Sequence, residues 1–495
     1  MKKTNPLVVL TAIAFALLIS CNGDKKKEEA KEAPLPNIVL ILADDLGYGD
    51  ISFLNSDSKI NTPNIDRIGK EGIFFADAHS PSAVCTPTRY GLLTGQYAFR
   101  THLKSGVLWG YSDPLIEKGQ TTLAGLLKQK GYQTGVVGKW HLGLQWSKKT
   151  DSLDLYEGTP SNITNADNVD YQAGISEGPN DRGFDYSFIN PASLDMAPYV
   201  YLENQQVTAP VSKLLSGENE VRGVFWRTGD VAEDFIIDKT LDTFTDKAVG
   251  FINEQAAKST PFFLYFPLTA PHTPWLPGEQ FKGTTGAGTY GDFVAHVDYI
   301  TGQVLEALDK NGITNNTLII FTSDNGAHWT TDDKAQYPHL ANHHFRGMKS
   351  DVWEGGHRVP FLVKWPGVIK PGTEGVSTIC HTDFMATLAE LTGQEKPATA
   401  EDSYSFFSSL KGNTQSLRPY TIHHSVNGTF ALRKGEWKLV ESNGSGGWSF
   451  KGEEGMPEVQ LYNMKDDPSE TNNLQADFPE VVNELQGLLD KARAE

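Results

Sequence analysis

Short, uninterrupted apolar segments alternate with helical patterns along most of this chain, and that alternation limits the folds open to it. The apolar segments lie at residues 37–42, 133–137, 262–266 and 318–322. The helical patterns lie at residues 121–130, 238–255 and 293–310. Strands buried on both faces are apolar throughout, and strands that alternate with helices form parallel sheets. We therefore predict an α/β fold with a large, mostly parallel sheet flanked by helices.

The pattern changes near residues 393–402. Beyond this point, short strand patterns with glycine-rich turns precede an amphipathic helix, at residues 420–424, 429–433, 437–440 and 479–494. This arrangement predicts a larger domain at residues 37–395 and a smaller C-terminal α+β domain, an antiparallel sheet plus a helix, at residues 396–495. Two polar segments, 151–180 and 201–221, lack apolar periodicity and are predicted to be surface insertions.

The N-terminus has the pattern of an export signal. Lys2 and Lys3 precede an apolar run at residues 7–19, which is too short to span a membrane comfortably. The run ends in Leu18-Ile19-Ser20-Cys21, which resembles a bacterial lipobox. It predicts a signal peptide at residues 1–20, a lipid such as palmitate on Cys21 and a charged tether at residues 21–36. An ordinary signal peptide with an incidental cysteine is the alternative.

These features predict an exported, membrane-anchored lipoprotein of a Gram-negative bacterium. The anchor would lie in the outer membrane, on its periplasmic or cell-surface side. The formal net charge of −18 excludes a nucleic-acid partner, because no basic stretch is present to neutralise phosphates. An anionic substrate would need a local basic site on this acidic chain.

Cysteine usage points to chemistry rather than to a disulfide framework. The chain has 3 cysteines, Cys21, Cys85 and Cys380. If Cys21 carries a lipid, two cysteines remain in an exported protein of this size. We expect Cys85 to have a chemical role and Cys380 to be a small buried apolar residue.

Each apolar segment is followed by polar residues that carry chemistry. They are Asp44 and Asp45 after the first, Lys139 and His141 after the second, His272 after the third, and Asp324 and Asn325 after the fourth. Loops at the carboxyl ends of sheet strands converge on one crevice. Carboxylate and amide oxygens favour Ca²⁺ or Mg²⁺ over Zn²⁺. One aspartate pair alone would be a cap or a turn, but two such groups after two buried strands predict a metal site.

A cysteine and an arginine are predicted at the start of a helix. The segment from 82 to 95 is SAVCTPTRYGLLTG, in which Thr86-Pro87 suits a helix start. Arg89 follows Cys85 by about one helical turn, so both side chains can face the same space. A helix N-terminus also favours an anionic ligand.

Cys85-x-Pro87-x-Arg89 followed by Leu93-Thr94-Gly95 resembles the signature of the type I, formylglycine-dependent sulfatases, in particular the arylsulfatase-like members. Further blocks resemble the same family in the same order, DDLGYGD at 44–50, GKWHLG at 138–143, SDNG at 323–326, and Arg346-Gly347-x-Lys349 before EGG at 354–356. The similarity extends from about residue 37 to 474. It implies an alkaline-phosphatase-like large mixed sheet flanked by helices.

The resemblance also implies a mechanism. Cys85 is oxidised to formylglycine by a maturation enzyme, and one hydroxyl of the hydrated aldehyde attacks the sulfur of a sulfate ester. One Ca²⁺ is held by Asp44, Asp45, Asp324, Asn325 and position 85. Arg89 holds the hydrate, Lys139 and Lys349 contact sulfate oxygens, His141 takes a proton from the hydrate, and His272 serves the leaving oxygen.

Other polar residues are weaker candidates. His328, Trp329, Asp195 and His343 are predicted sugar contacts because of their positions near these blocks. His296, His423 and His424 are expected to be structural.

Two alternatives to a sulfatase remain at this stage. One is a formylglycine-dependent phosphodiester or phosphonate hydrolase, and the other is a non-enzymatic glycan-binding lipoprotein. Phosphatases of the same superfamily typically use a second metal for the nearly doubly charged phosphate monoester. Lys139 and Lys349 stand in the sulfatase blocks instead, which favours a singly charged sulfate ester as the substrate. A surface lipoprotein with long insertions favours a sulfated polysaccharide or its oligosaccharides, from an algal glycan such as ulvan or carrageenan or from a glycosaminoglycan.

Overall fold

A computed structural model describes residues 34–155 and 166–494 of the chain. The predicted signal peptide and Cys21 lie outside the described residues. The helices are Pro63–Lys70 (α1), Cys85–Thr94 (α2), Leu123–Lys128 (α3), Thr240–Ala256 (α4), Gly288–Lys310 (α5), Thr331–Gln336 (α6), Glu354–His357 (α7), Phe384–Leu391 (α8) and Pro479–Ala494 (α9).

The strands from the first part of the chain are Asn37–Asp44 (β1), Ile73–Phe75 (β2), Ala78–His79 (β3), Gln133–Lys139 (β4), Gln145–Trp146 (β5), Ile175–Glu177 (β6), Tyr186–Asn190 (β7), Leu202–Glu203 (β8), Gln206–Val207 (β9), Val211–Leu215 (β10), Glu218–Val221 (β11), Val224–Trp226 (β12) and Gly229–Ala232 (β13). The later strands are Phe262–Pro271 (β14), Thr317–Ser323 (β15), Phe361–Lys364 (β16), Thr373–Gly375 (β17), Ile379–Cys380 (β18), Thr421–His424 (β19), Phe430–Lys434 (β20), Trp437–Val440 (β21) and Gln460–Asn463 (β22).

A 10-stranded mixed sheet forms the centre of the fold, in the order β17-β2-β16-β15-β1-β14-β4-β7-β8-β9. The four predicted apolar segments are its central parallel strands β15, β1, β14 and β4. Every residue of β1, β14 and β15 is buried, which explains why these segments lack polar alternation. The predicted α/β class and the large mixed sheet are confirmed.

Helices flank this sheet in two packed groups. Helices α1 and α4 both pack on α5 and on the sheet, and α2, α3 and α8 contact one another in the second group. In α5, apolar residues at helical spacing, such as Phe293, Val297 and Val304, are buried. No helix in residues 34–155 and 166–494 has the length and apolar character that a membrane span requires.

The C-terminal region forms the antiparallel sheet β19-β20-β21-β22, on which α9 packs. Leu485 and Leu489 of α9 share an apolar core with Ile422, Leu432 and Leu439 of this sheet. The last strand of the sheet, β22, was not among the predicted strands. Leu35–Glu495 forms one compact unit, and the division near residue 395 stays a prediction.

The polar segment at 201–221 contains more regular structure than its sequence predicts. It forms the short strands β8 to β11, of which β8 and β9 extend the main sheet. Most residues of β10 and β11 are partly or fully exposed, so their pairing leaves no apolar pattern. The strands arise from pairing with neighbouring segments rather than from a local apolar pattern.

Candidate active site

Four strand ends bring the predicted residues together at one edge of the sheet. Because β15, β1, β14 and β4 are neighbours and parallel, their carboxyl ends lie side by side. Asp44 ends β1, Lys139 ends β4, His272 follows β14, and Asp324 follows β15. All four side chains are buried. The strand-end residues therefore form a single site, as the sequence predicts.

Carboxylate and amide groups meet directly in this site. The Asp45 amide donates to Asp324 Oδ1 at 3.1 Å, and Asn325 Nδ2 donates to Asp45 Oδ1 at 2.7 Å. Ligand atoms of Asp44, Asp45, Cys85 and His272 all lie within 4.8 Å of one another. The predicted metal ligands are thus in contact, and His272 joins them.

Helix α2 places Cys85 and Arg89 on the same side, against the carboxylates. The Cys85 thiol donates to Asp44 Oδ1 at 3.6 Å. Arg89 Nε and Nη2 donate to Asp324 Oδ2 at 3.1 and 2.8 Å, and Nη1 donates to the Lys139 carbonyl at 3.0 Å. Burial raises the pKa of the Cys85 thiol, so the unmodified side chain is a poor thiolate nucleophile.

Two lysines bring positive charge to the same group. Lys139 Nζ lies 2.7 Å from Asp44 Oδ2, and Lys349 Nζ lies 2.8 Å from Asp45 Oδ2. Burial opposes ionisation of Asp44, but Lys139 and other nearby cations hold its pKa well below the ordinary value. These lysines and Arg89 offset the charges of the three aspartates, so the site is close to neutral before any ion or substrate binds.

The donor set fits a hard divalent cation. Asn325 Oδ1 is buried and has no hydrogen-bond partner within the described residues. Burial, followed by the charge of Asp44, raises the pKa of Asp324 to about 7. A cation among these oxygens would bind the unpaired Asn325 oxygen and relieve the repulsion between the carboxylates. The oxygen donors match Ca²⁺ or Mg²⁺.

Hydrogen bonds fix the ring orientations of both predicted catalytic histidines. His141 Nε2 lies 2.8 Å from the Leu108 carbonyl and must donate to it, which leaves Nδ1 unprotonated in the neutral ring. This Nδ1 is buried without a partner in the described part of the chain. His272 Nδ1 donates to the Thr273 carbonyl at 2.5 Å, and Nε2 lies 3.8 Å from Asp45 Oδ2. Burial lowers the pKa of both rings.

The backbone is strained where it turns into the site. Asp45, His141 and Ser350 have φ of 65°, 57° and 84°, a region that non-glycine residues rarely adopt. Ser350 directly follows Lys349. A Cβ at Gly326 would lie 1.9 Å from the Gly355 carbonyl oxygen, so this turn requires glycine. Such strain is typical of functional sites.

A buried network that the sequence-based site does not include supports the loop at Asp45. Tyr290 Oη donates its one hydrogen to Asp50 Oδ2 at 2.5 Å and lies 3.1 Å from the Asp45 carbonyl oxygen. His339 Nε2 lies 2.8 Å from Asp50 Oδ1. Asp50 is part of the quoted DDLGYGD block, but Tyr290 and His339 lie in segments without a motif.

The residues predicted as sugar contacts differ in their burial and position. Trp329 is 1% exposed and lies in the core, so the structure does not place it on a sugar-binding surface. His328 is partly exposed, and its ring lies 5.3 Å from that of Trp448, which is 46% exposed. Burial and the charge of Arg222 lower the pKa of His328 to about 4. Trp448 follows a run of glycine and serine rather than a motif, so the sequence does not predict it as a neighbour of His328.

Two other candidates lie at the periphery. Asp195 is buried and pairs with Arg227 at 2.6 Å. His343 is half-buried, with φ of 55°, and packs near Tyr48. The expected structural roles of His296, His423 and His424 agree with their burial, and Cys380 is buried and free.

Comparisons with known proteins agree with this geometry. Residues 36–394 match the family model described as Sulfatase, and residues 345–495 match the model described as N-sulphoglucosamine sulphohydrolase, C-terminal. An N-acetylgalactosamine-6-O-sulfatase of Bacteroides thetaiotaomicron is 34% identical over 538 residues, covering 100% of both chains. A steryl-sulfatase of Rattus norvegicus is 32% identical over 430 residues, covering 80% of this chain and 74% of the relative.

Solved structures are also similar to this chain. A structure described under the metabolism of multiple glycosaminoglycans by Bacteroides thetaiotaomicron has a TM-score of 0.80 and 33% identity, covering 94% of this chain and 100% of the other. Ps i-CgsB in complex with k-i-k-neocarrahexaose has a TM-score of 0.70 and 26% identity, covering 93% of each chain.

Proposed function

The chain belongs to the sulfatase family, and on that premise we propose that it hydrolyses a 6-O-sulfate ester of N-acetylgalactosamine in a glycosaminoglycan or its oligosaccharides. The relative that carries this activity in its name is similar over the full length of both chains. The structure determined with a carrageenan oligosaccharide is less similar, at 26% identity. Among the sulfated polysaccharides considered above, these similarities favour a glycosaminoglycan over an algal glycan.

The convergence of Lys139, Lys349 and the three aspartates on position 85 is the observation that carries the reaction class. Members of the family generally use formylglycine and Ca²⁺. Here Asp44, Asp45, Asp324 and Asn325 would hold the calcium ion, which supplies positive charge beside the sulfate oxygens. Formylglycine derived from Cys85 would supply the attacking oxygen. A maturation enzyme is the implied partner.

The chain's own residues would orient and neutralise the substrate. Because the aspartates already balance the lysines and Arg89, a bound divalent cation leaves an excess of positive charge for the anionic ester. The ammonium groups of Lys139 and Lys349 lie next to the carboxylates. They would bind the sulfate oxygens, whose negative charge grows in the transition state. Arg89, fixed by Asp324, would hold position 85 and the helix end.

The two histidines would move protons. His141 is fixed with Nδ1 as a proton acceptor, which suits a base at position 85. His272 keeps its Nδ1 hydrogen on the Thr273 carbonyl, so a proton on Nε2 would face the carboxylates and the leaving oxygen. Burial and the charge of Lys349 lower the pKa of His272, and the charges of Asp45 and Asp44 act in the opposite direction and favour the protonated form.

The export and lipid anchor predicted from residues 1–21 belong to the same proposal. A lipoprotein held by Cys21 at the outer membrane would meet sulfated oligosaccharides outside the cytoplasm. Substitution of Cys21 by alanine, followed by fractionation of cells, tests the anchor: we expect the variant in the soluble fraction, and retention in the membrane would contradict it.

Kinetics on defined substrates test the reaction and the sugar. We expect the highest kcat/KM on N-acetylgalactosamine 6-sulfate, lower values on other sulfated sugars, and a large preference for aryl sulfate over aryl phosphate. Lys349→Ala should lower kcat/KM about 100-fold, by analogy with the loss of one oxyanion donor. A preference for aryl phosphate, or full activity of Lys349→Ala, would contradict the reaction class. A preference for another sugar would contradict only the substrate.

A further inference from the structure

The loop at residues 190–195 forms one wall beside the catalytic residues. It follows β7, the neighbour of β4, and the amides of Trp140 and His141 donate to the carbonyls of Asn190 and Pro191 at 3.1 and 3.0 Å. Trp109 follows Leu108, whose carbonyl accepts from His141, and the Trp109 ring packs on Arg227, which pairs with Asp195 of this loop.

Some buried polar atoms on this wall have no partner among the residues that the structure describes. Ser193 and Asp195 are 1% and 6% exposed. Their Ser193 Oγ and Asp195 Oδ1 atoms have no hydrogen-bond partner among the described residues. An unpaired buried polar atom costs free energy, and a ligand hydroxyl at hydrogen-bond distance would remove that cost.

Arg227 is held at this wall with one edge of its guanidinium open. Its Nη1 donates to Asp195 Oδ2 at 2.6 Å and to the Asp195 carbonyl at 3.1 Å. Its Cζ lies 4.6 Å from the ring centroid of Trp109 and 4.7 Å from that of Phe225. The side chain is 41% exposed. Within the described residues, both hydrogen bonds of its guanidinium come from Nη1, which leaves Nε and Nη2 free. This edge has the fork geometry that binds a carboxylate or a sulfate with two hydrogen bonds.

Arg222, five residues earlier, has a similar environment, but its Nε and Nη2 are bound to a protein carboxylate. It also lies over an aromatic ring, at 4.5 Å from the centroid of Trp275, and is also 41% exposed. Its Nε and Nη2 donate to the two carboxylate oxygens of Asp333 at 3.2 and 2.6 Å. The difference between the two arginines is therefore the partner of the fork.

We propose that Arg227, fixed by Asp195 and Trp109, binds a second anionic group of the glycan, on the sulfated sugar or on the unit linked to it. This group is a uronate carboxylate or another sulfate. Asp195 Oδ1 accepts from a neighbouring sugar hydroxyl, and Ser193 Oγ donates to or accepts from another. The inference rests on the proposed action on a glycosaminoglycan. Arg227 acts at a distance from the reacting atoms, so it contributes to substrate binding rather than to the chemical step.

The test compares Arg227→Gln with Arg222→Gln in the mature, calcium-loaded enzyme. The probes are N-acetylgalactosamine 6-sulfate, its disaccharide with a uronic acid, the same disaccharide with the carboxyl group reduced, and N-acetylgalactosamine 4,6-disulfate. Arg227→Gln should raise KM about 10- to 100-fold on a probe with the second anion and leave kcat unchanged. On the two probes without it, KM should change less than about threefold. Arg227→Lys, which keeps the charge but not the fork, should give an intermediate loss.

The probes distinguish a uronate carboxylate from a second sulfate, and they distinguish failure of this inference from failure of the proposed function. A loss confined to the uronate disaccharide identifies a carboxylate, and a loss confined to the disulfate identifies a second sulfate. The role of Arg227 would be overturned if its variant raised KM equally on probes with and without the second anion, or if KM did not rise. It would also be overturned if Arg222→Gln raised KM as much as Arg227→Gln. None of these results would affect the proposed reaction or substrate. A wild type that hydrolyses aryl sulfate but none of the sugars would overturn the proposed substrate and this inference together.

Discussion

The catalytic cluster and a buried histidine cluster, both in the described residues, differ in how completely their polar atoms are paired. The catalytic cluster consists of Asp44, Asp45, Cys85, Asp324 and Asn325. The histidine cluster consists of His79, His357 and His423. Ligand atoms of the three histidines lie within 4.8 Å of one another, as they would in a metal site.

The histidine cluster is paired throughout by protein groups. Lys438 Nζ lies 3.0 Å from His357 Nε2, and an ammonium group can only donate. His79 Nε2 lies 2.9 Å from Asp77 Oδ1 and donates to it, so the neutral His79 ring accepts at Nδ1 from His357 Nδ1 at 3.0 Å. His357 Nε2 then accepts from Lys438, and the Val352 carbonyl 3.1 Å away receives no hydrogen from this nitrogen. Both ring nitrogens of His423 also have partners. Burial lowers the pKa of all three rings, which keeps them neutral.

The catalytic cluster, in contrast, leaves Asn325 Oδ1 unpaired, and the adjacent His141 Nδ1 is unpaired as well. The histidine cluster joins β3 and α7 to the C-terminal sheet through Lys438 of β21, so it holds two parts of the fold together. Histidines and carboxylates meet at both clusters, since His272 lies beside the catalytic carboxylates and Asp77 beside the histidines. Buried polar atoms without a partner also occur elsewhere in the described residues, for example Tyr265 Oη and His381 Nδ1. The two clusters differ because the unpaired Asn325 oxygen lies among the carboxylates that would hold a cation, whereas every ring nitrogen of the three histidines has a protein partner.

The largest expected effect is the loss of activity in Cys85→Ala. Removing the precursor of the nucleophile should lower kcat/KM by on the order of 10⁴- to 10⁶-fold, while the melting temperature stays close to that of the wild type. In the wild type co-expressed with a maturation enzyme, the peptide with Cys85 should be about 18 Da lighter than its unmodified form.

Cys380→Ala is the matched control for this variant, because Cys380 is also buried and free. It should retain activity, and its peptide should keep the cysteine mass. Full activity in protein whose Cys85 is an unmodified thiol would contradict the assigned nucleophile.

The next largest effect is a loss of stability in Lys438→Met. Lys438 is fully buried and lies 2.7 Å from Glu470 Oε1 and 3.1 Å from Glu354 Oε1. Removing the ammonium leaves two buried carboxylates without their shared partner, which should lower the free energy of unfolding by about 3–5 kcal/mol. Urea denaturation measures this loss.

The folded Lys438→Met variant should keep the calcium affinity and the kcat of the wild type. Lys364→Met is the control, because Lys364 pairs with a carboxylate, Glu71, that is 46% exposed, and its loss should cost only about 0–1 kcal/mol. If Lys438→Met lost activity at unchanged stability, the histidine cluster would belong to the catalytic machinery.

The sequence predicts the catalytic cluster better than the surfaces around it. Asp44, Asp324 and Cys85 follow buried strands or begin a helix within motifs, so local patterns locate them. The histidine cluster draws on three distant segments with no local pattern. Arg227 lies in a region of short, exposed strands, where pairing and not apolar periodicity decides the structure. Trp329 was predicted to face substrate from its position after a motif, but tertiary packing buries it.

The smallest expected effect is the one that tests the comparison most directly, a change in calcium affinity in Asn325→Ala. Its Oδ1 is unpaired, whereas the buried Asn342 has an Oδ1 that accepts from the Ala327 amide at 2.8 Å. If Asn325 Oδ1 binds the cation, Asn325→Ala should weaken the calcium Kd about tenfold, which removes about 1.4 kcal/mol of calcium-linked stability at saturation. Asn342→Ala should leave the Kd within about threefold and cost about 1–3 kcal/mol in the metal-free protein. Calorimetric calcium titration and thermal melts with and without calcium give both quantities. An unchanged Kd with reduced metal-free stability in Asn325→Ala would make Asn325 a structural residue like Asn342, and the distinction between the two clusters would then rest on His141 alone.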